Sequence, residues 1–184
     1  SVYVTDFFLQ AKSMGYNVPE KQLSKSIERL QYYVKGRAYL NSDLSRYLSN
    51  VKHYNLSYQA YAAYVLSGIN QVNLQDVRKL YDNHANQAKS PLPLAYLALA
   101  LEKMGDSRRA TLAWQAAIDF KWEQDRYSYY GDYGSKIRDL AQVVLLGTQS
   151  NIANGLPTST YQLLKPLQDE LASRSWLSTQ ERGT

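Results

Sequence analysis

The chain has 184 residues, enough for one domain with a sizeable core, and its 45% hydrophobic and 20% charged content excludes a disordered chain. Its net charge of +5 invites a polyanion partner, but Lys and Arg are dispersed among acids, which argues against nucleic-acid binding. The absence of cysteine excludes disulfides and thiolate metal sites within the segment, and no apolar run reaches the roughly 18 residues of a membrane-spanning helix.

A helical apolar period runs through the whole sequence, interrupted by glycines. The first helix is predicted over residues 1–14, with Tyr3, Val4, Phe7, Phe8 and Ala11 inward and Gly15 as its left-handed stop. Pro19 suits the first position of the next helix, whose stripe is Leu23, Ile27, Leu30 and Val34. A short helix is expected between Leu40 and Leu48. Ser57 is expected to cap a third long helix carrying Ala60, Tyr61, Tyr64 and Val65 and ending at Gly68. Asn73 should cap a fourth, with Leu74, Val77, Leu80 and Tyr81 inward.

The segment from Pro91 to Met104 is apolar on almost every face and should be buried nearly all round. Gly105-Asp106 then leaves room only for an antiparallel partner, with Leu112, Ala113, Ala116, Ala117 and Phe120 on its inner face. An aromatic loop follows from Trp122 to Gly134. Ser135 opens a further helix with a stripe of Ile137, Leu140, Val144 and Leu145. Residues 148–159 read as a connection, and Tyr161, Leu164, Leu167 and Leu171 as a last helix bent at Pro166. Ser178 and Glu181 form a capping box with no helix body after it, as expected of a chain cut from something larger.

No segment alternates like a strand, so the expected fold is all-α, an array of antiparallel helical hairpins forming a partial or complete α/α toroid as a single domain over residues 1–184. A regular tetratricopeptide array would repeat about every 34 residues. The unevenly spaced Gly15, Gly68, Gly105 and Gly147 fit a closed ring better, although a repeat scaffold that binds proteins stays as the alternative.

No catalytic, cofactor or metal site is expected. His53 and His84 lie in polar stretches without partners in ligand register and read as surface or capping histidines. Asp169-Glu170 diverge as neighbours on a helix, and no serine elbow or phosphate-cradling glycine loop is present. The 17 tyrosines are the compositional oddity. Tyr58, Tyr61 and Tyr64 read as core residues with hydroxyls at a wet edge. A second use for aromatics is a carbohydrate or protein contact surface formed by Trp122, Tyr127, Tyr129, Tyr130 and Tyr133.

Three stretches carry a family resemblance: Tyr3-Val-Thr-Asp-Phe-Phe-Leu-Gln-Ala-Lys12 with Gly15-Tyr-Asn-Val-Pro19; Asp132-Tyr-Gly-Ser-x-x-Arg-Asp139; and Trp176-Leu-Ser-Thr-Gln-Glu181. Together they resemble, in order, the helical thioester domain of bacterial alpha-2-macroglobulins. The resemblance implies an α/α toroid and a non-enzymatic part of an endopeptidase inhibitor that traps proteases. It also implies a periplasmic or envelope location, with anchoring to the inner membrane through a part of the parent outside this segment. The implied partners are proteases, other domains of the same chain and peptidoglycan synthesis proteins; no cofactor and no nucleic acid are implied. Family members carry Cys-x-Glu-Gln upstream of the matching region, and this segment has none, so no residue here is assigned to a reactive pair. Gly131, Gly134, Arg138 and Asp139 are expected to be structural, turning the aromatic loop into its helix.

Overall fold

The computed structural model describes residues 1–38, 48, 50–122 and 134–177. The short helix expected at residues 40–48, the loop tyrosines and the Ser178–Glu181 box fall almost wholly outside the described residues. Among the described residues all regular structure is helical: α1 (Val2–Ser13), α2 (Glu20–Val34), α3 (Val51–Gly68), α4 (Leu74–His84), α5 (Leu92–Lys103), α6 (Ser107–Ile118), α7 (Lys136–Thr148), α8 (Asn151–Gly155) and α9 (Leu164–Ala172), with 3₁₀ turns before α5 and α9. The odd-numbered helices touch in succession, α1 on α3, α3 on α5, α5 on α7 and α7 on α9. The helices α2, α4, α6 and α8 flank that row.

The stops are local chemistry. Gly15 and Gly105 adopt φ near +85°, a region closed to most side chains. Asp106 then accepts from the Arg109 N–H at 3.2 Å, capping α6 and fixing the tight α5–α6 hairpin. Ser135 caps α7 in the same way through the Arg138 N–H at 3.2 Å. Pro19 is the N-cap of α2 rather than its first helical residue. Asn50, not Ser57, caps α3; Ser57 lies inside the helix and donates back to the His53 carbonyl. The left-handed residue after α3 is Asn70, with φ +55°, and not Gly68.

Two clusters form the core, one on each side of α5. The first packs Leu30, Tyr33, Leu56, Leu66 and Val77 against Leu97 and Leu101. The second packs Ala113, Trp114, Leu140, Val143 and Leu163 against Ala95 and Leu99. Helix α5 is therefore buried nearly all round, as its composition predicts. Trp114, absent from the predicted stripe of α6, is fully buried, whereas Leu112 and Ala116 face solvent.

The end elements depart further from expectation. In α1 the buried residues are Val2 and Thr5, while Tyr3, Val4 and Phe7 are 69%, 43% and 57% exposed. In α7 the buried stripe is Ile137, Leu140, Val143 and Leu146, and Leu145 points outward. Tyr161, Leu164 and Leu171 are exposed too, with Leu163 taking the inward position. Helices α1 and α7 are apolar over more than one stripe, so periodicity names two faces and the neighbour selects one, whereas α9 has no fully buried residue of its own. Gly147 does not stop a helix. It lies within α7, where a Cβ would come within 2.2 Å of Thr160 Cγ2, so its missing side chain lets the 3₁₀ turn before α9 close on α7. Pro166 falls in the first turn of α9, where its missing N–H costs no helical bond, and residues 148–159 contain α8.

Candidate functional site

The chemistry-bearing side chains converge where α1, α3, α5 and α7 meet. Tyr61 and Tyr64 stand one turn apart on α3, and α5 answers with Tyr96, the one aromatic on an otherwise aliphatic helix. The rings of Tyr61 and Tyr96 stack with centroids 4.8 Å apart and planes 14° from parallel; Tyr64 and Tyr96 lie 5.2 Å apart at 36°. Helix α1 supplies Asp6, whose Oδ2 accepts from the Tyr61 hydroxyl at 2.6 Å. Lys103, in the last turn of α5, holds its Nζ 4.8 Å above the Tyr64 ring. The Tyr64 hydroxyl points at Gln149 Oε1, 3.4 Å away at the end of α7.

Burial keeps the tyrosines of this cluster protonated. Burial, then the Asp6 carboxylate, push the Tyr61 phenol far above its ordinary value, and the same causes raise Tyr64. Burial raises Tyr96 as well. Burial also lowers Lys103, against the pull of Asp6 and Glu102. The tyrosines are thus neutral at physiological pH and act as donors and flat apolar surfaces, which suits packing and recognition rather than proton transfer. Tyr58 takes no part in this cluster. Successive steps of three residues drift around a helix, and Tyr58 turns toward α2, packing edge-on against Tyr33 at 5.0 Å and Tyr54 at 5.7 Å.

Two polar hubs were not legible in the sequence. Glu102, on α5, accepts from Trp114 Nε1 at 3.1 Å, from the Ser150 hydroxyl, and from the backbone N–H groups of Asn151 at 2.9 Å and Ile152 at 3.3 Å. It satisfies the open N-terminus of α8 and ties that helix to α5 and α6. His53, expected at the surface, is fully buried. Its Nδ1 accepts from the Lys89 N–H at 3.1 Å, stitching the segment before α5 onto α3, and Nε2 lies 3.4 Å from the Ser57 hydroxyl. His84 is exposed at the end of α4, beside Gln87, as expected. In the sequence His53 stands between Lys52 and Tyr54, which gives no sign of its burial.

Of the proposed aromatic contact surface, Trp122 is half-buried and meets Phe120 edge-on at 5.6 Å, while Tyr127, Tyr129, Tyr130 and Tyr133 lie outside the described residues. Arg138 and Asp139 form an ion pair at 2.6 Å at the start of α7, Asp139 being buried. Among the described residues no group of three or more His, Cys, Asp or Glu side chains could hold a metal ion, and no helix is long and apolar enough to cross a membrane. A polar cleft of about 220 Å³ lies between α2 and α4, lined by Gln31, Lys35, Gln71, Val72, Asn73 and Asp76.

No protein-family profile matches the chain. Individual proteins do. It is 34% identical over 181 residues to alpha-2-macroglobulin of Escherichia coli, covering 98% of this chain and 10% of the relative. It is 35% identical over 188 residues to alpha-2-macroglobulin of Xylella fastidiosa, covering 98% of this chain and 11% of the relative. Among solved structures, native E. coli alpha-2-macroglobulin from domain MG7 to the C-terminus superposes with a TM-score of 0.86 at 34% identity, over 98% of this chain and 27% of that one. Salmonella alpha-2-macroglobulin reacted with methylamine gives 0.84, and trypsin-activated E. coli alpha-2-macroglobulin gives 0.82, each at 34% identity over 98% of this chain and 11% or 12% of theirs. This all-helical chain, spanning about a tenth of the length of the curated relatives it matches, is homologous to bacterial alpha-2-macroglobulin.

Proposed function

We propose that this chain is part of the helical thioester domain of a bacterial alpha-2-macroglobulin-like endopeptidase inhibitor, and that it serves there as a non-enzymatic element of a protease trap in the cell envelope. The observation that carries the reading is the continuous match in sequence and backbone, a TM-score of 0.86 at 34% identity over 98% of the chain. The burial pattern supports it. The exposed apolar side chains of α1 at one end, and of α7 and α9 at the other, suit a row of hairpins that continues into a ring.

In such a trap the chemistry belongs to a thioester outside this segment. A protease amine attacks its carbonyl, the C–S bond breaks, an amide forms and the departing thiolate takes up the amine's proton. That a Salmonella relative reacts with methylamine and an E. coli relative is activated by trypsin accords with this class of chemistry. The residues described here would contribute the rigid wall. The Tyr61–Tyr64–Tyr96 stack and its Asp6 bond hold α1 against α3 and α5, so that the ring keeps its shape. Proteases and other domains of the parent are the proposed partners, with peptidoglycan synthesis proteins as further ones. The proposed location is the periplasm, through an inner-membrane anchor outside this segment.

The test uses the full-length parent mixed with trypsin, with and without prior methylamine treatment, followed by denaturing electrophoresis and gel filtration. The expected result is a covalent protease adduct that methylamine abolishes. A protease held without a covalent bond would overturn the thioester and leave a non-covalent trap. Failure to retain protease in either assay would overturn the trap itself.

A further inference from the structure

Several ionic side chains on the later helices have a counter-charge. Lys165 pairs with Asp169 at 2.6 Å, Arg174 with Glu170 at 2.8 Å, Lys136 with Glu170 at 3.2 Å and Arg109 with Asp82 at 2.9 Å. Helix α2 is set apart by having its cations in one row. Lys21, Lys25 and Arg29 recur every four residues, all exposed, and none pairs with a carboxylate among the described residues. The acids nearby are engaged: Glu20 pairs with Lys12 at 2.7 Å, and Glu28 accepts from the Tyr32 hydroxyl at 3.2 Å.

This placement works against the helix. Positions four apart are neighbours on its surface, so Lys21–Lys25 and Lys25–Arg29 are like-charge pairs, which weaken a helix. Lys21 also sits in the first turn, where the helix dipole disfavours a cation. Arg29 is partly offset by the Tyr33 ring, 5.2 Å from its guanidinium, but the row as a whole breaks a local rule, which marks a surface with an outside use. Dispersal along the sequence conceals the stripe, because adjacency on a helix is i to i+4 rather than i to i+1. The exposed Tyr32 extends it along the same face, opposite the buried Leu23, Leu30 and Val34.

We propose that the outer face of α2 docks on an anionic phospholipid bilayer surface. The cations lie along about 12 Å of helix, a row that a layer of phosphate headgroups can meet at several points. The second argument is the turn leading into the stripe: Met14 and Tyr16 are 74% and 68% exposed there, an apolar and an amphipathic side chain placed to enter the headgroup region. The contact would add to any anchor outside the segment and holds whether or not the parent traps proteases.

The test is sedimentation of the 184-residue chain with vesicles of phosphatidylcholine alone, or of phosphatidylcholine with phosphatidylglycerol, at low and physiological salt. Binding is expected to the anionic vesicles only, weakening with salt. Combined Lys21→Gln, Lys25→Gln and Arg29→Gln should weaken it on the order of a hundredfold. Lys52→Gln, Lys79→Gln and Arg108→Gln remove the same charge from other exposed positions and should change it far less; circular dichroism checks that both variants are folded. Equal losses in the two variants would reduce the effect to net charge and overturn the proposal. So would absence of binding to anionic vesicles at low salt, or binding to soluble polyglutamate without binding to vesicles.

Discussion

Helix α5 buries nine of its 12 residues, and α1, of the same length and with three aromatics, buries only two. Composition separates them in part, since α5 is apolar on almost every face, and neighbours do the rest. Helix α5 is contacted by α3, α4, α6 and α7, whereas α1 leans mainly on α2 and α3. At the other end α9, which touches α7 and the 3₁₀ turn before it, has no fully buried residue. The contrast teaches that apolar side chains at the ends of a hairpin row are surface by position, not by character.

Substitutions can break or sharpen that contrast. The largest effect is expected from Trp114→Ala in the middle of the array, which empties a fully buried site and strips one donor from Glu102. Urea denaturation should show a loss of about 3–5 kcal/mol. Gly147→Ala comes next. Its new Cβ meets Thr160 at 2.2 Å, so α7 and the turn before α9 must part, with a loss of about 1–3 kcal/mol in the same measurement.

Asp106→Asn tests the polar tie between α4 and α6 and gives a pH signature. Burial alone would raise the Asp106 carboxyl, but hydrogen bonds from Arg78 at 2.5 Å and from the Arg109 backbone and side chain outweigh it and hold it below the usual carboxylate range. A depressed folded-state pKa gives stability that is present above the unfolded value near about 4 and lost as pH falls through the lower folded value. Asn keeps the cap but not the charge. The variant should therefore be about 1 kcal/mol less stable at pH 7, with the difference fading in unfolding curves taken below about pH 4. The smallest effect is expected at the end of the array. Phe7→Ala, though it deletes an aromatic ring, should move the stability of this chain by no more than about 0.5 kcal/mol, because the side chain is 57% exposed. A loss as large as that of Trp114→Ala would show that α1 is a core helix and erase the distinction between middle and ends.

How much was legible follows the same division. Gly15, Asn73, Gly105, Asp106 and Ser135 act where the sequence puts them, because a left-handed turn or a capping oxygen is a property of the residue and its nearest neighbours. The near-complete burial of α5 was legible too, since a helix apolar on every side has no face to give to water. The tyrosine cluster was legible only in its α3 half. Tyr61 and Tyr64 share a neighbourhood on one helix, but Tyr96, Asp6, Lys103 and Gln149 arrive from helices far away in sequence.

By itself, then, the sequence determined the all-helical class, most helix starts and stops, and the kinship, all of them carried by short-range pattern and residue identity. Only tertiary structure decided which of two apolar stripes α1 and α7 would bury, that His53 and Trp114 would sit in the core, and that Glu102 would close the start of α8. The physical reason is that burial is a relation between surfaces. A helix can offer an apolar face, but another element must arrive to exclude the water from it.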